Sequence, residues 1–254
     1  MDGMLSQEEI DALTGGGGAA TKTAYAGETL SDAERDAVGE IANINMGTAA
    51  TTLSTLLNTK VTITTPKVSY VTLDDLSLQY DRPCVFIHIS YIDGIDGNNI
   101  LILKEHDVKV ITDLMMGGDG SNTDGELSEM HLSAISEAMN QMMGSAATSL
   151  STLLQTVIDI SPPESSLFDL TEVKDGKEIS PFLGGTFVKI AFRMQIDDLV
   201  DSSIMQLYPI DFARKLVETF INTQMGSLGE SNDQAATQPE SIPAPAAAPQ
   251  NNAG

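Results

Sequence analysis

Glu40 and Asn43 stand three residues apart in a stretch with helical periodicity, and the chain repeats the pair as Glu137 and Asn140. With Asp36 and Gly47, the first pair occupies positions i, i+4, i+7 and i+11. At about 100° per residue these fall within a stripe roughly 60° wide. Val38, Ile41, Ala49, Leu53 and Leu56 fall on the opposite side, as a core-facing stripe requires. Ser133, Glu137, Asn140 and Gly144 repeat the arrangement. A carboxamide both donates and accepts hydrogen bonds, so it can hold a water in line with an electrophile without being a strong base. The amide that positions the attacking water in GTPases works by this logic. A carboxylate one turn away can dock a partner's ammonium group. The glycines leave the next turn bare, so another molecule's backbone can approach.

One acid–amide pair on a solvated helix face is common; two pairs in matching context are not. Residues 30–66 align without a gap on residues 127–163, with 18 identities in 37 positions. Ordinary residue usage would give about two. Pro66 and Pro163 each follow their Asn by 23 residues. They read as structural, fixing the chain where it leaves or enters a strand.

The elements that position these residues follow from pattern. Ser31 starts a helix that runs to about Asn58, with Glu34 completing a capping box. Residues 61–71 predict a strand. Residues 84–92 and 99–103 predict a hairpin around Asp93-Gly94-Ile95-Asp96-Gly97, and 107–116 a helix. The second half predicts helix 128–155, strand 157–160, a connection through Gly184-Gly185, strand 186–195, turn 197–201, strand 203–208 and helix 211–223. The order α-β-β-β-α, twice, predicts an α/β fold. It is one pseudo-twofold unit over residues 30–226, in repeats 30–120 and 127–226, whose strands share one sheet. Each half alone is marginal in core size.

Both ends read differently. Leu5-Ser6-Gln7-Glu8-Glu9-Ile10-Asp11-Ala12-Leu13 encodes one or two capped amphipathic turns, within a peptide spanning residues 1–15. Residues 16–29, with Gly15 to Gly18 at their start, form a flexible tether. A helix this short is marginal alone, and its position on a glycine leash is also how a peptide ligand is presented. Residues 227–254 turn to Ser, Gln, Asn, Pro and Ala and read as a disordered linker or tail.

Composition narrows the function classes. The 254 residues carry 36 acidic against 13 basic side chains, a net charge of −23. That argues against nucleic acid, whose phosphates require Lys and Arg, and against anionic lipid. The single cysteine, Cys84, cannot form an internal disulfide and fits a reducing cytosol. No apolar run approaches the ~18 residues of a membrane span, and residues 1–4 do not open a signal peptide. The reading is a soluble intracellular protein. His88, His106 and His131 lack partners at metal-ligand spacing, so a metal centre is not expected. The Asp-rich stretches at 93–99 and 197–201 read as turns, Gly117-Gly118-Asp119-Gly120 as a helix C-cap, and Cys84 as a buried small hydrophobe.

Written out, the repeats are Asp36-x3-Glu40-x2-Asn43-x22-Pro66 and Ser133-x3-Glu137-x2-Asn140-x22-Pro163. Both match the [Asp or Ser]-x3-Glu-x2-Asn-x22-Pro motif of the CheC/FliY/CheX family of chemotaxis phosphatases, which the chain resembles. The segment at residues 5–13 resembles the peptide by which flagellar switch proteins capture phosphorylated CheY. The resemblance implies hydrolysis of the aspartyl phosphate on CheY. Asn43 and Asn140 would orient water, and Glu40 and Glu137 would pair with a CheY lysine. Asp36 and Ser133 would play supporting roles. Mg²⁺ would sit on CheY, with no cofactor of the chain's own. It also implies FliM and FliG as partners and a cytoplasmic place at the flagellar basal body, on the inner face of the membrane and not inserted in it. Switch-associated members usually continue into a FliN-like domain, whereas this sequence closes in its Pro/Ala stretch. Two other readings stay open at this stage. One is a FliM-like adaptor that binds phosphorylated CheY without catalysis. The other is a CheC-like phosphatase dependent on the deamidase CheD, against which the N-terminal peptide argues.

Overall fold

The computed structural model describes residues 29–79 and 83–233. The expected CheY-binding peptide at residues 5–13, nearly all of the tether and the tail from residue 234 onward lie outside the described residues.

Helix α1 (Asp32–Leu57) opens on the expected box: the Ser31 amide donates to Glu34 Oε2 at 2.6 Å and the Glu34 amide to Ser31 Oγ at 3.2 Å. It stops where Asn58 adopts a left-handed φ of 48°, a conformation Asn tolerates. Strands β1 (Val61–Ile63) and β2 (Lys67–Val71) follow, then the short helix α2 (Leu73–Ser77). The hairpin β3 (Cys84–Asp93) and β4 (Gly97–Lys104) leads into α3 (Glu105–Met115). The second repeat runs α4 (Glu129–Leu154), β5 (Asp159–Ile160), β6 (Glu164–Phe168), β7 (Phe187–Ile196), β8 (Val200–Tyr208) and α5 (Ile210–Asp233). Two short 3₁₀ turns, Gly176–Glu178 and Pro181–Gly184, precede β7.

All strands join one antiparallel sheet in the order β1–β7–β8–β4–β3–β5, with β2 also on β7 and β6 also on β3. The opening strands are therefore exchanged: each repeat lays its own along the hairpin of the other. Val71 pairs with Phe187 as Phe168 pairs with Cys84, so the two edges share one register. At the centre Ile102 pairs with Met205, its own counterpart 103 residues later (205 − 102), which puts the pseudo-twofold axis between them.

Helices α1 and α4 pack side by side on one face, joined by a 2.8 Å hydrogen bond from Thr52 Oγ1 to Ser145 Oγ. Beneath them Val38, Ile41, Leu53, Ile135, Met139 and Leu150 meet Val85, Ile87, Ile190 and Phe192 in the larger core. The other face carries a smaller core of Val71, Leu76, Cys84, Phe86, Phe187 and Leu207. Strand β3 is apolar on both sides because its alternate residues serve both cores. Among the described residues no helix is long and apolar enough to cross a membrane.

Some expectations need correction. The strand expected over 61–71 is two strands, broken at residues 64–66. Strand β6 was not anticipated: its Glu-Ser-Ser-Leu-Phe sequence lacks strict alternation because it covers a sheet edge and stays largely exposed. The small helix α2 and the 3₁₀ turns were also missed. Helix α5 runs past the expected end at 223 to Asp233, taking in residues 227–233 of the expected tail, where no proline intervenes. The Asp93 side chain accepts from the Gly94 amide at 2.8 Å, and Gly117 and Gly120 take φ of 85° and 81°, so these stretches serve as turn and cap.

Candidate functional site

Asp36, Glu40, Asn43 and Gly47 all lie exposed along α1, while Val38, Ile41, Ala49 and Leu53 on the opposite side are fully buried. On α4, Ser133, Glu137 and Asn140 are exposed and Gly144 is half-exposed. Each stripe is rigidly held because the buried side of its helix is locked in the larger core. A Cβ built on Gly47 or Gly144 would meet no atom within 4 Å. The space beside each acid–amide pair is open.

The prolines act from the strand side. Ile63 pairs with Met194 and Lys67 with Ala191, so Thr64, Thr65 and Pro66 oppose only Phe192 and Arg193. One residue is extra, which makes a β-bulge that bends the strand. The second repeat does the same, with Ser161, Pro162 and Pro163 opposing Ile89 and Ser90 between the pairs Ile160–Tyr91 and Glu164–His88. The ladder bond that survives inside each bulge is conserved too: Thr64 N–H to Arg193 O at 3.0 Å, and Ser161 N–H to Ser90 O at 2.8 Å. Proline has no amide to leave unpaired there.

In the first repeat this bulge closes a concavity lined by Arg35, Asp36, Gly39, Glu40, Asn43, Thr65, Pro66 and Lys67. The structure thus brings all four motif residues of the first repeat around one hollow: Asp36, Glu40 and Asn43 from the helix, Pro66 from the strand. The second copy keeps the backbone and changes its dressing. Ser136 stands where Gly39 does, and its hydroxyl meets Ser165 Oγ at 2.7 Å; Ser165 Oγ in turn donates to Leu132 O at 2.7 Å. Pro163 is buried there, whereas Pro66 is half-buried.

Two hydroxyls that the sequence reading left aside set the strand against the helix. The Val61 amide donates to Ser54 Oγ, and the Ile158 amide to Ser151 Oγ, each at 2.9 Å. Both serines were legible as shared residues of the repeat. Among the described residues no group of three His, Cys, Asp or Glu is arranged to hold a metal ion. His131 accepts from the Ser128 amide at 3.1 Å as part of the α4 cap, and Cys84 is buried.

An acid–amide pair on an exposed ridge beside an open hollow is accessible to a macromolecular partner. The CheC-like family matches residues 34–70 and 130–167, the two helix–bulge units. The chain is 46% identical over 238 residues to the flagellar motor switch phosphatase FliY of Bacillus subtilis, a match covering 93% of this chain. It spans 61% of that relative's length. The crystal structure of Thermotoga maritima FliY superimposes with a TM-score of 0.70 at 39% identity, over 76% of this chain and 98% of that one. The middle domain of Helicobacter pylori FliM shares the fold, with a TM-score of 0.57 at 14% identity over 75% of this chain and 99% of that one. The chain belongs to the FliY family of CheC-like proteins.

Proposed function

We propose that this chain hydrolyses the aspartyl phosphate of the chemotaxis response regulator CheY, at two sites, as part of the flagellar motor switch. The observation that carries the reading is the duplicated ridge: Glu40–Asn43 and Glu137–Asn140, both exposed and each followed by a proline-bearing bulge. Its setting supports it, in a chain 46% identical to a flagellar motor switch phosphatase.

In this reading Glu40 or Glu137 pairs with an ammonium group beside the phosphoaspartate and fixes the approach of the helix. Asn43 or Asn140 enters the regulator's site. Its carbonyl accepts from a water and its amino group donates, which aims the water oxygen at phosphorus. The new O–P bond forms as the bond from phosphorus to the aspartyl oxygen breaks. The electron pair stays on the aspartate and the water proton leaves with inorganic phosphate. Mg²⁺ for this chemistry is supplied by the regulator. Asp36 and Ser133 support the helix end of each site, and Pro66 and Pro163 shape its strand side. The segment at residues 5–13 captures phosphorylated CheY and raises its local concentration through the tether. FliM and FliG are the expected neighbours, at the cytoplasmic side of the motor.

The test is the decay of phosphorylated CheY with the unaltered chain, Asn43→Ala, Asn140→Ala and the double variant. Turnover should fall in each single variant and vanish in the double. A chain that binds phosphorylated CheY and leaves its decay unchanged is an adaptor of FliM type.

A further inference from the structure

The two sites match in backbone and differ in charge. Lys67, exposed and placed directly after Pro66, lies on the lip of the hollow that holds Glu40 and Asn43. No salt bridge holds it among the described residues, whereas Arg35 on the same lip is paired with Asp32 at 3.0 Å. In the second repeat the corresponding positions, 97 residues on, are Glu164 and Leu132. The shared register places Glu164 on its strand as Lys67 is placed on its own: the first opposite His88, the second opposite Ala191, 103 residues after His88. One site has a free cation at its edge where the other has an anion.

We infer that Lys67 is a specificity determinant of the first site, attracting the anionic rim of a phosphorylated receiver protein, and that Glu164 opposes the same approach at the second. This rests on the proposed reading of the acid–amide ridges. A site that holds an aspartyl phosphate is rich in negative charge, so a body with a net charge of −23 repels it at long range. At physiological salt that repulsion is screened beyond about 8 Å. Close to contact only the nearest charges count, and at the first site Lys67 is among them. Rim charges act on association and its salt dependence more than on steps after docking. The first site is therefore favoured in encounter and weakened by added salt, whereas at the second Glu164 works against the Glu137 and Asn140 contacts and salt relieves it.

The experiment uses the full chain in single-site backgrounds. In Asn140→Ala, where only the first site works, Lys67→Glu should lower kcat/KM for phosphorylated CheY by about fivefold, the scale of reversing one exposed charge contact. It should leave kcat within about twofold and flatten the salt dependence, and Lys67→Arg should behave as the unaltered chain. In Asn43→Ala, Glu164→Lys should raise kcat/KM and make it fall with added salt. An unchanged kcat/KM and salt slope in Lys67→Glu overturns the inference. Binding of CheY locked with beryllofluoride separates the two proposals. If no chain hydrolyses CheY but Lys67→Glu still weakens binding, the hydrolase reading fails and the assignment of Lys67 stands.

Discussion

Gln141 Nε2 donates a 2.9 Å hydrogen bond to Glu137 Oε1 one helical turn before it, a contact the first repeat cannot make because Ile44 occupies the matching place. Two effects compete at Glu137. Displacing an exposed i, i+4 side-chain contact costs about 0.2–0.5 kcal/mol. Fixing a free glutamate rotamer costs up to about 1.5–2 kcal/mol. Because the amide occupies Oε1 and leaves Oε2 open, the second effect wins: Gln141 prepares Glu137 for its partner. Gln141→Ala in the Asn43→Ala background should therefore reduce kcat/KM on phosphorylated CheY about two- to fivefold. Ile44→Gln in the Asn140→Ala background should increase it. A gain on removing Gln141 would mean that the contact competes with the partner.

Gly47 and Gly144 are hard to justify from within the molecule. Glycine inside a helix costs about 1 kcal/mol relative to alanine, yet a methyl group at either place would touch nothing. The hydrogen bonds their carbonyls accept from Thr51 Oγ1 and Thr148 Oγ1 would survive the change. Under the proposed function this space admits the partner's backbone. Gly47→Ala should raise the unfolding free energy by about 1 kcal/mol in a denaturant titration. The same variant, in the Asn140→Ala background, should lower kcat/KM on phosphorylated CheY. Higher stability with undiminished turnover would show that nothing approaches this turn.

Local signals were readable where the chain decides its own structure. The capping residues Ser31 and Glu34 set the start of α1, and the alternation around Asp93-Gly94 marked the first hairpin. The acid–amide stripe followed from helical spacing because the buried side, Val38, Ile41 and Leu53, is strongly apolar. The bulges were not readable: proline at 66 and 163 permits one, but only the partner strand's register shows that a residue is extra. Strand exchange was hidden for the same reason, since a strand's pattern gives its faces and not its neighbours. The charge difference between the sites was in the sequence throughout. Identities between the copies drew the reading toward Glu40 and Glu137, and the informative positions were the mismatches Lys67/Glu164 and Ile44/Gln141.

Exchange of the opening strands makes the two halves mutually dependent. Cut between α3 and α4, the first half would keep the β3–β4 pairing and lose every other strand contact. Strands β1 and β2 lose β7, β3 loses β5 and β6, and β4 loses β8 at the Ile102–Met205 axis. The buried surface of α1 would lose α4, with Ile135, Met139 and Leu150. A hairpin with one long helix and the shorter α2 and α3 is too little core for independent stability. Residues 29–126 alone should show no cooperative unfolding as a monomer. Co-expressed with residues 127–254, they should co-purify as a one-to-one complex with the circular dichroism of the intact chain. A monomeric first half that melts cooperatively would show that the exchanged strands decorate two independent domains.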